Sequence, residues 1–133
     1  MGISGFMQMA YKQTAVYWGS PQNDGSGGYI FADPVELSPD NNNGVRWENR
    51  NELGGRVLDN KGDIISCNAI VFLNQDVVEE GYLMLGTLDD LDSDSTINPR
   101  LIDGAFEIKR FDKVPAIGST TDFYRRAYLG YKV

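Results

Sequence analysis

Between Asp63 and Leu73 the chain places apolar side chains on both parities of an extended run, with no helical spacing anywhere in it. Ile65, Cys67, Ala69, Val71 and Leu73 fall on one face; Ile64, Ser66, Asn68, Ile70 and Phe72 fall on the other. A strand of one-sided, water-facing sheet reads as strict alternation, so apolar residues on both faces predict a strand bent within a small closed barrel. This run follows a hairpin signal: Arg56-Val57-Leu58, then the turn formers Asp59-Asn60-Lys61-Gly62.

Other short runs carry the same period of two. Gln13 to Trp18 puts Ala15 and Tyr17 on one face and Thr14, Val16 and Trp18 on the other. Val45 and Trp47 share a face, as do Phe106 and Ile108 opposite Glu107 and Lys109. Tyr29-Ile30-Phe31, Val35 to Leu37 beyond Pro34, Tyr82 to Leu88 and Phe123 to Leu129 complete the set. No internal repeat and no sustained helical period is present; one short helix is allowed near the start or around Asn74 to Glu80. The expectation is an all-β fold, a small β-barrel of about seven strands with long projecting loops. Residues 1–10 read as an N-terminal arm and 11–133 as a single β-barrel domain.

Loops divide the strands. Gly19 to Gly28 collects turn formers around Asp24-Gly25 and reads as a hairpin tip. Ser38 to Gly44 has nothing apolar to anchor it. Lys113 to Thr121, holding Pro115 and Gly118, reads as a link to the last strand, and Asp89 to Asn98 as an acidic loop.

The 133 residues contain no histidine and one cysteine. Histidine is the side chain best placed to move protons near neutral pH and the commonest nitrogen ligand for metals. Other catalytic arrangements need a recognisable constellation, and none is visible. Asp90, Asp92 and Asp94 have the spacing that opens a calcium loop, but Ser95 and Leu101 stand where that loop needs Gly and Glu. Gly25-Ser26-Gly27-Gly28 lacks the Lys-Ser/Thr of a phosphate cradle. Cys67 reads as a small buried apolar residue. Glu36 with Glu48 could flank a sugar as acid and base, but nothing in the sequence fixes their separation. Trp18, Tyr17, Tyr29 and Trp47 could form a stacking platform, but strand alternation explains most of them as core. The expectation is no catalytic site, no cofactor and no metal.

No apolar stretch is long enough for a membrane helix. Met1 to Gln8 lacks the basic and apolar regions of a secretory signal, and Phe6 stands where myristoylation wants Ser or Thr. Net charge is −7, which opposes binding to nucleic-acid phosphates. Its distribution is uneven: residues 1–99 carry 15 acids and 5 bases, and the remainder carries 4 acids and 7 bases. Leu73 to Pro99 holds seven acids and no base. One reading is a solvated loop beside a mixed terminal strand. The other is a polar subunit whose acidic surface meets the basic surface of a neighbour, as head-to-tail rings require. On that second reading the candidate inter-subunit contacts are Asp89, Asp90, Asp92 and Asp94 against Arg125 and Arg126.

The order of short motifs carries a resemblance. Tyr17-Trp18-Gly19, Asp24-Gly25 with Gly28, Phe31 with Pro34-Val35-Glu36 and Arg46-Trp47-Glu48 come first. Gly62 then leads into Ile65-x-Cys67-x-Ala69-x-Val71, followed by Glu80-Gly81-Tyr82-Leu83-x-Leu85-Gly86. Glu107-Ile108-Lys109, Lys113-x-Pro115 and Arg126-Ala127-Tyr128-Leu129 close the series. In this order they resemble the head-closure (head-completion, stopper) proteins of tailed bacteriophages, over roughly residues 11–129. The resemblance implies a structural protein of the virion neck, the head-tail connector, made in the host cytoplasm. It implies a homo-oligomeric ring below a portal or adaptor protein, which retains packaged DNA and docks a tail-terminator or other tail protein. DNA would pass an acidic lumen without specific binding. Where some members carry a long plugging loop, Asn49 to Gly55 is short here. Either another loop fills that role, with Gly19 to Gly28 the best candidate, or another protein closes the channel; Asp24, Gly25, Ser26 and Gly27 and Asn41, Asn42 and Asn43 are the candidate lumen and contact loops. Two alternatives stay open: a tail-completion or tail-terminator ring protein, and a carbohydrate-binding module.

Overall fold

The computed structural model describes residues 11–49, 56–58, 64–91, 98–115, 118 and 123–130. The expected N-terminal arm (1–10), the turn at 59–62 and the short loop at 50–55 lie outside them.

Eleven strands are formed by the described residues: β1 (Ala15–Trp18), β2 (Gln22–Asn23), β3 (Tyr29–Ile30), β4 (Val35–Leu37), β5 (Arg46–Asn49), β6 (Arg56–Leu58), β7 (Ile64–Ser66), β8 (Ala69–Leu73), β9 (Tyr82–Leu85), β10 (Ala105–Pro115) and β11 (Phe123–Gly130). Seven make one antiparallel sheet in the order β4-β1-β9-β10-β11-β8-β5. The all-β expectation is met. The other four strands form two separate ribbons, β2–β3 and β6–β7.

The run from Asp63 to Leu73 is not one strand. It breaks at Cys67–Asn68, where the Asn68 N–H turns to the Leu129 carbonyl (2.7 Å) and the Cys67 thiol donates to the Ala69 carbonyl (3.1 Å). β7 therefore pairs in its own ribbon while β8 joins the main sheet. A second irregularity lies in β10. Its pairing with β11 slips between Ile108↔Leu129 and Arg110↔Tyr128, so Lys109 is an extra, bulged residue. The bulge resets the alternation: Phe106 and Ile108 face the core, and beyond it Phe111, not Arg110, returns there. β10 also runs on to Pro115, through residues expected to be a link. Among the described residues 74–80 there is no helix; the only helical turns described are 3₁₀ turns at Pro39–Asn41, Leu88–Asp90 and Pro99–Leu101.

Both faces of β1 and β9 are covered. One face carries the main core: Ala15, Leu37, Val45, Ala69, Val71, Leu73, Leu83, Ile108, Ala127 and Leu129, with Trp47, Phe106 and Phe111 at its margin. The other carries Val16, Trp18, Tyr82, Met84 and Ala105, roofed by Phe31, Leu91 and Ile102 from the segments that follow β3 and precede β10.

The main sheet is strongly curled. β5 and β10 are three places apart in the strand order, about 14 Å in a flat sheet. Yet the rings of Trp47 (β5) and Phe106 (β10) have centroids 6.4 Å apart across the core. The curl brings the run before β1 to the run before β5 at a single bridge, Gln13↔Val45, with N···O distances of 3.0 and 2.9 Å. Gln13 also accepts the Trp47 N–H through its side chain at 2.7 Å. No ladder runs along that seam, so the sheet is open by its backbone pairing.

Candidate interaction surface

Strand register decides where the basic residues of the C-terminal half stand. In the β10–β11 ladder Lys113 faces Arg125, Asp112 faces Arg126 and Arg110 faces Tyr128. Two cations opposed across a ladder repel one another. Asp76, from the loop after β8, resolves the conflict by accepting Arg125 Nε at 2.7 Å and Lys113 Nζ at 3.1 Å. The Arg125 hydrogen bond, reinforced by Lys113, holds the Asp76 carboxyl below the usual carboxylate range. The Phe123 ring lies beside both cations, 4.6 Å from Lys113 Nζ and 5.6 Å from the Arg125 guanidinium.

On the opposite face Asp112 accepts Arg110 Nε at 2.8 Å and lies 3.7 Å from Arg126. Tyr128 packs under both guanidinium groups, and burial raises its phenol. The hydrogen bond to Asp112 raises Arg110 further above its already high value. Lys109 pairs with Glu107, and Arg46 with Glu48 at 3.6 Å.

These pairs revise the basis of one expectation. Arg125 does meet an acid from the 73–99 segment, but within its own chain, and Arg126 has Asp112 beside it. The two arginines lie on opposite faces, as their adjacency in a strand requires.

Asp89 and Asp90 stand in the 3₁₀ turn Leu88–Asp90, and both are exposed. Asp90 folds back to accept the Thr87 N–H (2.8 Å) and hydroxyl (3.3 Å). Its carboxylate serves as a cap for that turn. Asp92 and Asp94 lie outside the described residues, as does the rest of the acidic loop up to Ile97. Among the described residues no group of three acids and cysteine comes together as a metal site, and no helix is long and apolar enough to cross a membrane.

The expected hairpin at 19–28 is formed by β2 and β3, and its tip closes on its own acid. Asp24 Oδ1 accepts the N–H groups of Ser26 (2.7 Å) and Gly28 (3.1 Å), while Asn23 accepts that of Gly25 (2.8 Å). Gly25 and Gly27 hold φ of 85° and 87°, which only glycine adopts without strain. A carboxylate already fills the nest of amides that a phosphate would need.

The Ser38–Gly44 segment is tied down, against the expectation of an unanchored loop. Buried Ser38 caps the turn Pro39–Asn41, and Asn42 takes the left-handed conformation that ends it. Asn43 donates to Gln75 at 2.7 Å, and Asn74 donates to the Asn42 carbonyl at 3.3 Å. Polar side chains supply the anchor that apolar ones do not.

Glu36 and Glu48 sit on the two end strands of the sheet order and are each occupied, Glu36 by the Leu88 N–H at 2.9 Å and Glu48 by Arg46. The four aromatics do not form a platform. Trp18 is fully buried in the outer cluster, Tyr17 and Trp47 flank the main core, and Tyr29 stands exposed on the ribbon. Cys67 is buried.

Around Tyr29 lies a group that periodicity does not reveal. Pro99, fully buried, pins the turn Pro99–Leu101. Arg100 donates from Nε to the Tyr82 hydroxyl (3.3 Å), which in turn donates to Glu107 (3.4 Å). Its guanidinium lies 6.0 Å from the ring of Tyr29 and 5.7 Å from that of Phe31. Beside it Leu101 is 77% exposed and Tyr29 63% exposed. The one sequence signal for Arg100 is that it is the first base after Lys61.

Compared with known proteins, the chain matches no family profile, no curated protein and no solved structure.

Proposed function

We propose that this chain is a structural, non-enzymatic head-closure protein of a tailed-phage neck, whose curled sheet serves as a small barrel and whose subunits assemble as a ring. In this reading the ring lies below the portal or adaptor, helps retain the packaged genome and receives the tail. The single observation that carries it beyond the order of sequence motifs is the Tyr29–Arg100–Leu101 surface: exposed apolar and aromatic side chains around an arginine, on a body whose other described bases are largely paired with acids. Such composition suits contact with protein, because arginine and tyrosine are enriched where interfaces concentrate their binding energy. A net charge of −7 suits a wall that DNA slides past without adhering.

The test is location. Antibody labelling of virions, with mass spectrometry of purified neck complexes, is expected to place the protein at the head-tail junction. A label along or at the far end of the tail, or particles that lack the protein, would overturn the proposal.

A further inference from the structure

We infer that the Arg100 surface is a docking site for a second copy of this chain, and that its occupant is the acidic turn Leu88–Asp90. This rests on the self-association in the reading above; with both turns on one side of the molecule the contact is two-fold, so it joins subunits in pairs and is distinct from the head-to-tail contact that closes the ring.

Arg100 has only part of its donor set engaged. Its Nε is bonded to Tyr82, and its guanidinium carbon lies 6.0 Å from the Tyr29 ring and 5.7 Å from the Phe31 ring. The two terminal nitrogens have no hydrogen-bond partner among the described residues, and the residue is exposed. A pre-positioned guanidinium with free parallel donors matches a carboxylate. Tyr29 and Leu101 flank it, both mostly exposed.

The complement is present on the same side of the molecule. Leu91 and Ile102, next to the two turns, both roof the Trp18–Tyr82 cluster. The Leu88–Asp90 turn offers exposed Leu88 beside exposed Asp89. Its neighbours are committed: Asp90 caps Thr87, and Glu36 holds the Leu88 N–H. Asp89 accepts no hydrogen bond and makes no ion pair among the described residues. An apolar residue beside an acid on one turn thus mirrors an apolar residue beside a base on the other. The two turns do not pair within the chain, and contact between copies satisfies both charges while covering Leu101, Tyr29 and Leu88.

The experiment places a photo-crosslinking phenylalanine analogue at Leu101, an exposed position, and mixes that chain with an isotopically heavy second copy at high concentration. Crosslinked peptides from the heavy copy are expected to contain Leu88–Leu91. Asp89→Arg in the heavy copy is expected to lower the yield by about tenfold, as is Arg100→Glu in the other, and combining the two to restore it. The Asp89 side chain makes no hydrogen bond or ion pair among the described residues, so its variant reads the contact more than the fold. Crosslinks elsewhere on the second copy, an absence of crosslinks, or a yield indifferent to Asp89→Arg would overturn the inference. A failed crosslink map with the protein found at the neck removes only this surface. A correct map with the protein absent from the neck removes only the neck assignment.

Discussion

Leu83 and Met84 are adjacent on β9 and point in opposite directions, which makes them a direct probe of whether both faces of this sheet are built. Leu83 is fully buried in the main core; Met84 is 6% exposed and belongs to the outer cluster under Leu91 and Ile102. In a sheet with one wet face, truncating the outward residue would change stability by about 0.5 kcal/mol or less. Here both truncations open a cavity, so Leu83→Ala and Met84→Ala are each expected to cost about 2–5 kcal/mol. That is a large part of the total stability of an ordinary domain, about 5–15 kcal/mol. With a urea slope of about 1–3 kcal/mol per molar, the unfolding midpoint of each variant should fall by about 1–2 M, with the slope unchanged. Ile70, half-buried on the outward face of β8, supplies the internal contrast and should lose less. Should Met84→Ala unfold within the error of the wild type while Leu83→Ala does not, the described roof does not protect this face and the two-sided packing is wrong.

Three further outcomes follow from the geometry. Asp76 is held below its ordinary range by Arg125 and Lys113. Its contribution is therefore complete above the unfolded-state value of about 3.9 and disappears as pH falls through the lower folded value. Because the Asp76 side chain is 58% exposed, Asp76→Asn should cost only about 0.2–1 kcal/mol at neutral pH. Urea titrations across acid pH should show that gap closing; a gap that stays constant would contradict the pairing. Gly81→Ala would put a methyl 2.6 Å from the Trp18 carbonyl oxygen and 3.1 Å from that of Val78. The crowding should lower stability by about 1–3 kcal/mol in a denaturant titration, and a neutral result would show that this corner is looser than described. Deleting Lys109 should cost only about 1 kcal/mol, because Ile108 and Phe111 stay on the core face once the skipped residue is gone, whereas inserting an alanine after Lys109 should cost about 3 kcal/mol or more, because Arg110 then turns toward the core in place of Phe111. Equal losses for the two variants, measured by thermal unfolding, would argue against the bulge.

Much of this architecture is written in the side-chain period. Ala15–Trp18 and Phe123–Gly130 fall where alternation and β-formers place them, and the faces assigned to Val45, Trp47, Val71 and Leu73 are the faces they occupy. The irregular places were hidden for a common reason: they depend on a partner strand. Nothing in Phe106-Glu107-Ile108-Lys109-Arg110-Phe111 says that one residue is skipped, although strict alternation would have turned Arg110 to the core. At Cys67–Asn68 both parities are apolar on one side of the break or the other, so a change of sheet leaves no phase error to detect. The Asp76–Arg125 pair joins residues 49 apart, and the surplus of acid in 73–99 gave the sign of that contact without its address. Arg100 acquires its role from Tyr82 and the ribbon, so local sequence shows only an isolated base.

The lone Gln13↔Val45 bridge has a mechanical consequence. Every other junction in the sheet is a row of paired residues that must rupture together, whereas this one is a single bridge backed by one side-chain bond, from the Trp47 N–H to Gln13. Pulling the amino-terminal end therefore loads a contact that yields alone, and its two amides should trade deuterium with solvent well before those of β10 and β11. The fold has a built-in opening line, and it lies beside Trp47 at the margin of the core.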